Sequence, residues 1–271
     1  MTSTDTELYS SRKRLLTLAG VCGIASIVIA VIAIMLAVSY SPSFDLTQNW
    51  ISDLTGISHE GFLNVSRPVV NTATTEIIVR TGWIIAGVLG IVCATGLYRD
   101  NSTPSYRLGA IFAGLGAAAF VGVGLFPEPT YVPHVVASYA VFLLLPIGIL
   151  LVAGVLINAP DKRLGAVILA LAVIALIGAA LLTYMRGVAE GIATLGIGLG
   201  IILLSTKMLR HASKIKQAQA PVPPVVQQTL QPQTATIDIT EQIKKLGELR
   251  YQGLLTEQEF DSKKQELLAR M

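Results

Sequence analysis

LLTLAGVCGIASIVIAVIAIMLAV, residues 15–38, decides the fold class. It runs for 24 residues without a charge. A helix of about 20 apolar residues crosses the hydrocarbon core of a bilayer. Arg12-Lys13-Arg14 ahead of it would suit a secretory leader. The apolar part of a leader spans only about 7–15 residues, so the run reads as a retained first span. Five more segments of the same kind follow: Thr81–Leu97, Leu108–Phe126, Val135–Ile157, Leu164–Tyr184 and Val188–Leu209. The second extends upward through Ile77, Ile78 and Val79, and only Met185-Arg186-Gly187 separates the last two. The chain is 52% hydrophobic and 14% charged, with a mean hydropathy of +0.64. Soluble domains carry about 25% charged residues, so a water-soluble core is excluded. The expected fold is all-α: a six-span transmembrane bundle with a cytoplasmic two-helix hairpin on a flexible tether.

Lys and Arg set the expected orientation. With the N-terminus inside, eleven basic residues fall on the inner side (Arg12, Lys13, Arg14, Arg99, Arg107, Lys162, Arg163, Lys207, Arg210, Lys214 and Lys216). Three fall outside (Arg67, Arg80 and Arg186). Both termini are therefore expected in the cytoplasm, with the bundle in the cell membrane. The domain plan is a cytoplasmic segment 1–14, a membrane domain 15–210, a Pro/Gln-rich linker 211–237 and a hairpin 238–271. The net charge of +3 comes from short clusters, which gives no footprint for nucleic acid. Cys22 and Cys93 lie inside apolar runs with no CxxC or His cluster beside them, so no disulfide or metal is read, and no cofactor. Ala110-x-x-x-Gly114 and Ala118-x-x-x-Gly122 suit close helix packing within the chain. Pro146 is the one proline expected inside a span, where it would kink the helix.

SYSPSFDLTQNWISDLTG, residues 39–56, follows the first span and carries acids and aromatics but no Lys or Arg. Phe44, Trp50, Ile51 and Leu54 fall on one side of a helix, which predicts a short interfacial helix over Asp45–Leu54 with Phe44 and Trp50 at headgroup level. The other unusual polar residues reach the same level: Asp53 in the first outer loop, Glu76 and Arg80 beside the second span, Glu128 and His134 around the third-to-fourth turn, and Arg186 and Glu190 at the start of the sixth span. Glu76/Arg80 and Arg186/Glu190 have the i,i+4 spacing of helical ion pairs. Charge at membrane depth either pairs or lines a cavity, so this set reads as end-neutralisation or as an outer-face site. An Asp53–His134 acid/base pair is one form such a site could take, and a three-histidine metal centre is excluded because only His59 and His134 lie on that side. The sequons at Asn64 and Asn101 are weak signals.

Beyond Lys216 the chain turns to Gln, Pro, Thr and Ala without charge through Thr236, the composition of a tether. Residues 238–271 then carry two apolar stripes, Ile243/Leu246/Leu249 and Phe260/Leu267/Leu268. Gln252-Gly253 is a helix stop, Leu254 stands at the corner, and Thr256-x-x-Glu259 is a capping box with a Leu255–Phe260 staple. About 30 residues bury too little to stand alone, so the hairpin is expected to meet a second copy or a partner through Leu246, Leu249, Leu254, Phe260 and Leu267. The pattern, with Lys263-Lys264, resembles the SHOCT domain, a short C-terminal module of prokaryotic proteins. That resemblance implies oligomerisation or interaction.

The membrane part, about residues 15–210, resembles the family called domain of unknown function 998. The matching residues are Tyr40-Ser41-Pro42, Asn49-x-x-Ser52-Asp53-Leu54, Leu125-Phe126-Pro127 and His134. The chain departs from the family in the insert Glu60–Thr75 and in the charged Glu76 and Arg80. The resemblance implies a six-span bacterial or archaeal membrane protein and no established activity. The expected function is sensing, lipid binding or scaffolding without catalysis, with membrane lipids as partners. The alternative is an intramembrane lipid-modifying enzyme or small-solute transporter that uses the outer-face cluster.

Overall fold

A computed structural model describes residues 3–56, 72–218, 239–251 and 257–269. All regular structure among them is helical: α1 Ser3–Ser39, α2 Ala73–Asp100, α3 Pro104–Leu125, α4 Val132–Leu156, α5 Lys162–Ala180, α6 Leu182–Ala218, α7 Ile239–Tyr251 and α8 Glu257–Leu268, with 3₁₀ turns at Ile51–Thr55 and Glu128–Thr130. The first six are long and apolar enough to cross a membrane, making this a multi-pass membrane protein. Successive helices run antiparallel, as where Gly82 and Gly96 of α2 face Ala33 and Ala19 of α1. The α1–α2, α3–α4 and α5–α6 connections therefore share one end, called here the loop end. The start of α1 and the end of α6 share the other, the terminal end. The chain forms two compact units, residues 1–220 and 221–271.

Each of the six long helices packs on the next, and α1 closes on α6. Lipid offers no hydrophobic drive for helix association, so close approach depends on small residues. An added Cβ on Gly109 would lie 2.7 Å from the Gly148 carbonyl oxygen, and one on Gly178 2.7 Å from the Ala193 nitrogen. Gly114 and Gly122 of the small-residue motifs face Ala94 and Ala137, so they pack inside the chain. The packed interior includes Leu16, Trp83, Tyr106, Leu145, Ile149 and Leu204.

Span boundaries move outward from those expected. Thr72 caps α2 by accepting from the Thr75 amide, so the helix begins well before Thr81 and carries Glu76 and Arg80 in its first turns. At Leu181 the amide bonds back to the Ile177 and Gly178 carbonyls and the backbone stays helical. The break between the last two spans falls at Met185–Gly187, where the sequence places it. Arg186 is the non-helical residue there, at φ 45°, ψ −124°. That kink frees the Gly187 amide to bond the Asn49 carbonyl at 3.1 Å. A Cβ on Gly187 would stand 2.3 Å from the same carbonyl oxygen, which requires glycine. α4 runs unbroken through Pro146.

In the second unit, α7 and α8 pack on each other. Arg250 bonds Glu257 at 2.8 Å and lies over the Phe260 ring at 4.9 Å. Leu246, Phe260 and Leu267 are half-buried. The expected linker 211–237 begins later, since residues 211–218 continue α6; its remainder, the corner at Leu254, the Thr256 cap, the Leu255 staple, His59 and the Asn64 sequon lie outside the described residues, as does the side chain of Leu249.

Candidate functional site

Residues 39–56 do not form a helix lying flat on the membrane. They make a series of turns: the Phe44 amide bonds the Ser41 carbonyl, and the Gln48 and Asn49 amides bond the Asp45 carbonyl. The 3₁₀ turn Ile51–Thr55 then enters the mouth of the bundle. Asn49, Asp53, Leu54 and Thr55 are 0% exposed. A buried polar group must find partners, and these do. Asn49 Nδ2 donates to Asp53 Oδ2 at 2.9 Å, the Trp50 amide donates to the same oxygen at 3.2 Å, and the Glu128 amide donates to Thr55 Oγ1 at 3.1 Å. Ser41 and Thr75 hydroxyls meet at 3.2 Å. Trp50 Nε1 donates to the Leu182 carbonyl at 3.3 Å, so this indole is docked on α6. Phe44 packs against the core. At the exposed edge, Thr47 donates its amide and hydroxyl to Asp45, holding that carboxyl below its usual range.

The structure brings together Asp53, Glu76, Glu128, His134 and Glu190. Glu190 is 6% exposed, and its Oε2 accepts from the Ile51 amide. Gly56, at φ 117°, lets the chain pass close to Pro129 and Glu76. The two arginines turn elsewhere. Arg80 Nε donates to the Gly124 carbonyl at 3.0 Å, capping the end of α3. Arg186 Nη1 donates to the Gln48 carbonyl at 2.8 Å and lies over the Trp50 ring at 5.9 Å. The expected Arg186–Glu190 ion pair does not form, because the kink at Arg186 turns the guanidinium to the rim while Glu190 points inward. Nor does an Asp53–His134 dyad form. His134 Nδ1 donates to the Phe126 carbonyl at 2.8 Å, and its buried Nε2 has no partner. No three His, Cys, Asp or Glu among the described residues are arranged to hold a metal ion.

Beneath this plug lies a cavity of about 410 Å³ that sequence reasoning missed. Its wall is almost wholly apolar and comes from α1 (Ile27, Ala30, Val31), α2 (Trp83, Gly87), α3 (Ala117, Phe120), α4 (Ser138, Phe142, Leu145) and α6 (Gly191, Leu195, Gly198), with Ile51 of the plug and Glu190 at the loop end. Pockets for small ligands run about 300–1,000 Å³. Ser26, in the wall, already donates to the Ala86 carbonyl at 2.8 Å. His134 stands one helical turn from the wall residue Ser138 on α4. No single segment carries a signal for such a cavity, because it arises where five helices keep small residues at one level.

A second polar centre, also missed, lies at the terminal end. The Asp100 side chain is 0% exposed and meets Lys207 Nζ at 2.6 Å, His211 Nδ1 at 2.6 Å and the Tyr106 hydroxyl at 2.8 Å. Arg12 donates to the Asp100 carbonyl at 3.3 Å. The centre joins α1, α2, α3 and α6. Its sequence signal was an acid closing a span, opposite basic residues already counted only for orientation.

Residues 24–207 match the model of a family described as Protein of unknown function (DUF998). That covers most of the chain, and the chain belongs to this family. The match ends before α7. No curated protein and no solved structure matches the chain.

Proposed function

We propose that this DUF998 member is a non-enzymatic protein of the cell membrane whose bundle holds a lipid, acting as a sensor or scaffold. The observation that carries the reading is the apolar cavity of about 410 Å³ within the spans. At that depth the surrounding medium is lipid, and the wall offers little to a polar solute. The loop-end acids support a structural role, since Asp53 accepts from Asn49 and Trp50 while Glu190 accepts from Ile51. These bonds anchor the plug. The excess of Lys and Arg near the terminal end supports placing both termini in the cytoplasm. We assign the α7–α8 hairpin to self-association or partner binding there, on its half-buried apolar stripe and its small size.

Lipid binding is tested with the purified full-length protein, first delipidated and then supplied with defined lipids while thermal unfolding is followed. A lipid at a hundredfold excess over its Kd stabilises by about 2.7 kcal/mol. No stabilisation by any membrane lipid refutes the reading. Cross-linking with and without residues 238–271 tests the hairpin, and an unchanged oligomer distribution counts against it. Asp53→Asn and His134→Ala together are expected to leave the function intact in a knockout phenotype, whereas loss with a folded protein would favour catalysis or transport.

A further inference from the structure

We propose that the cavity takes an aliphatic chain of a bilayer lipid sideways, through a gap between α1 and α6 in the half of the bundle nearest the loop end. This rests on the lipid-binding reading above and adds the route of entry. The two helices close toward the terminal end and part toward the loop end. A Cβ on Gly20 would stand 2.7 Å from Leu209 Cγ, and one on Gly23 2.1 Å from Ser205 Oγ. Closer to the loop end, a Cβ on Gly198 would meet Ile27 Cγ2 at 3.4 Å, an ordinary contact. About two turns further on, a Cβ on Gly191 would meet nothing within 4 Å. Gly191 and Gly198 both line the cavity, so the widening leads into it.

The residues at that widening belong to the wall and to the surface at once. Val31 is 45% exposed, Leu195 63% and Leu199 41%, and all three line the cavity. Within a membrane-spanning helix such exposure is to lipid. Entry from water is closed by the plug. Ile51 forms part of the wall, Leu54 and Asn49 above it are 0% exposed, and Gly187, Trp50 and Glu190 bond the plug to α6. An apolar chamber sealed toward water and open toward lipid fits an apolar chain already resident in the bilayer.

The test uses the full-length protein in nanodiscs of phosphatidylethanolamine and phosphatidylglycerol, doped with a phosphatidylcholine bearing a diazirine at the end of one chain. After illumination the labelled peptides are mapped. The expected result is labelling at Phe142 and Leu145, which are buried wall residues, as well as at the lipid-facing residues Val167 and Ile177 of α5. Gly191→Trp fills the gap and is expected to lower labelling at Phe142 and Leu145 at least tenfold, with α5 labelling unchanged. Leu195→Trp alters the same gap at an exposed position and serves if the first variant does not fold. Gly154→Trp, at another open position, leaves the pattern as in the wild type. Cavity labelling that survives both gap substitutions overturns the lateral route and leaves lipid binding standing. No cavity labelling in the wild type also overturns the route, and lipid stabilisation in the thermal assay then decides separately whether the binding reading stands.

Discussion

Asp100→Asn tests whether the terminal-end centre holds the bundle together. The substitution keeps size and shape but removes the charge. In the wild type the carboxylate is 0% exposed and takes hydrogen bonds from Lys207, His211 and Tyr106 at 2.6, 2.6 and 2.8 Å. Removing one partner of a buried ion pair costs about 3–5 kcal/mol, because the other charge is left uncompensated. Lys207 keeps 15% of its side chain exposed and His211 36%, so both recover some solvation. The lower edge, about 3 kcal/mol, is therefore expected. At about 2–4 °C per kcal/mol for a chain of this size, the thermal midpoint should fall by roughly 6–12 °C. The assay is thermal unfolding of the purified protein in one fixed detergent, for wild type, Asp100→Asn, Lys207→Met and the double variant. Contacting residues in one network couple by about 0.5–3 kcal/mol, so the double variant should be more stable than the sum of the single losses. A single variant within about 1 kcal/mol of wild type, or strictly additive losses, would refute the assignment of a buried, interdependent centre.

Four further outcomes follow from local geometry. Gly178→Ala should lose about 1–3 kcal/mol, since the new Cβ would lie 2.7 Å from the Ala193 backbone nitrogen, which cannot rotate away. Gly154→Ala, which meets nothing within 4 Å, should leave the thermal midpoint unchanged or slightly raised. Gly56→Ala combines φ 117° with an approach of 2.8 Å to Pro129, so a loss of about 1–3 kcal/mol and faster proteolysis near residue 56 are expected; a wild-type protease pattern would speak against the tight plug. Trp50→Phe removes the Nε1 bond to Leu182 and weakens the stacking of Arg186, costing about 0.5–1.5 kcal/mol; because Trp83 is the only other tryptophan, the lost fluorescence reports the Trp50 site directly.

The six helices were legible because each is a long apolar run, and length plus hydropathy is what a bilayer selects. The two hairpin helices were legible from their apolar stripes. Boundaries were less so. Thr72 extends α2 through Glu76 and Arg80 because a cap and early-turn charges are tolerated at a helix end, where a hydropathy window ends too soon. The turn between the last two spans was legible, because Arg186 interrupts the apolar run and is the residue whose backbone leaves the helix. Asp100 and His211 are 111 positions apart, a pairing that no local pattern announces.

Residues 39–56 show why a cluster of polar residues is poor evidence of chemistry without burial and partners. From sequence they form an acidic, aromatic stretch at a bundle mouth, and its Phe44, Trp50, Ile51 and Leu54 suggest a helix on the surface. The decisive residues are instead Asn49 and Asp53. Their spacing lets Asn49 Nδ2 and the Trp50 amide satisfy one carboxylate oxygen, so the turn can enter the bundle without stranding a polar group. Once inside, Ile51 becomes part of an apolar wall and its amide meets Glu190, the acid placed deepest in α6. Glu190 then holds the plug, and the apolar space below it is the place where binding chemistry is to be sought. Glu190→Gln keeps an acceptor for Ile51 and should retain lipid stabilisation, whereas Glu190→Leu removes it and should loosen the plug. Protease accessibility near residue 56 separates the two, and equal accessibility in both variants would show that this bond does not seat the loop.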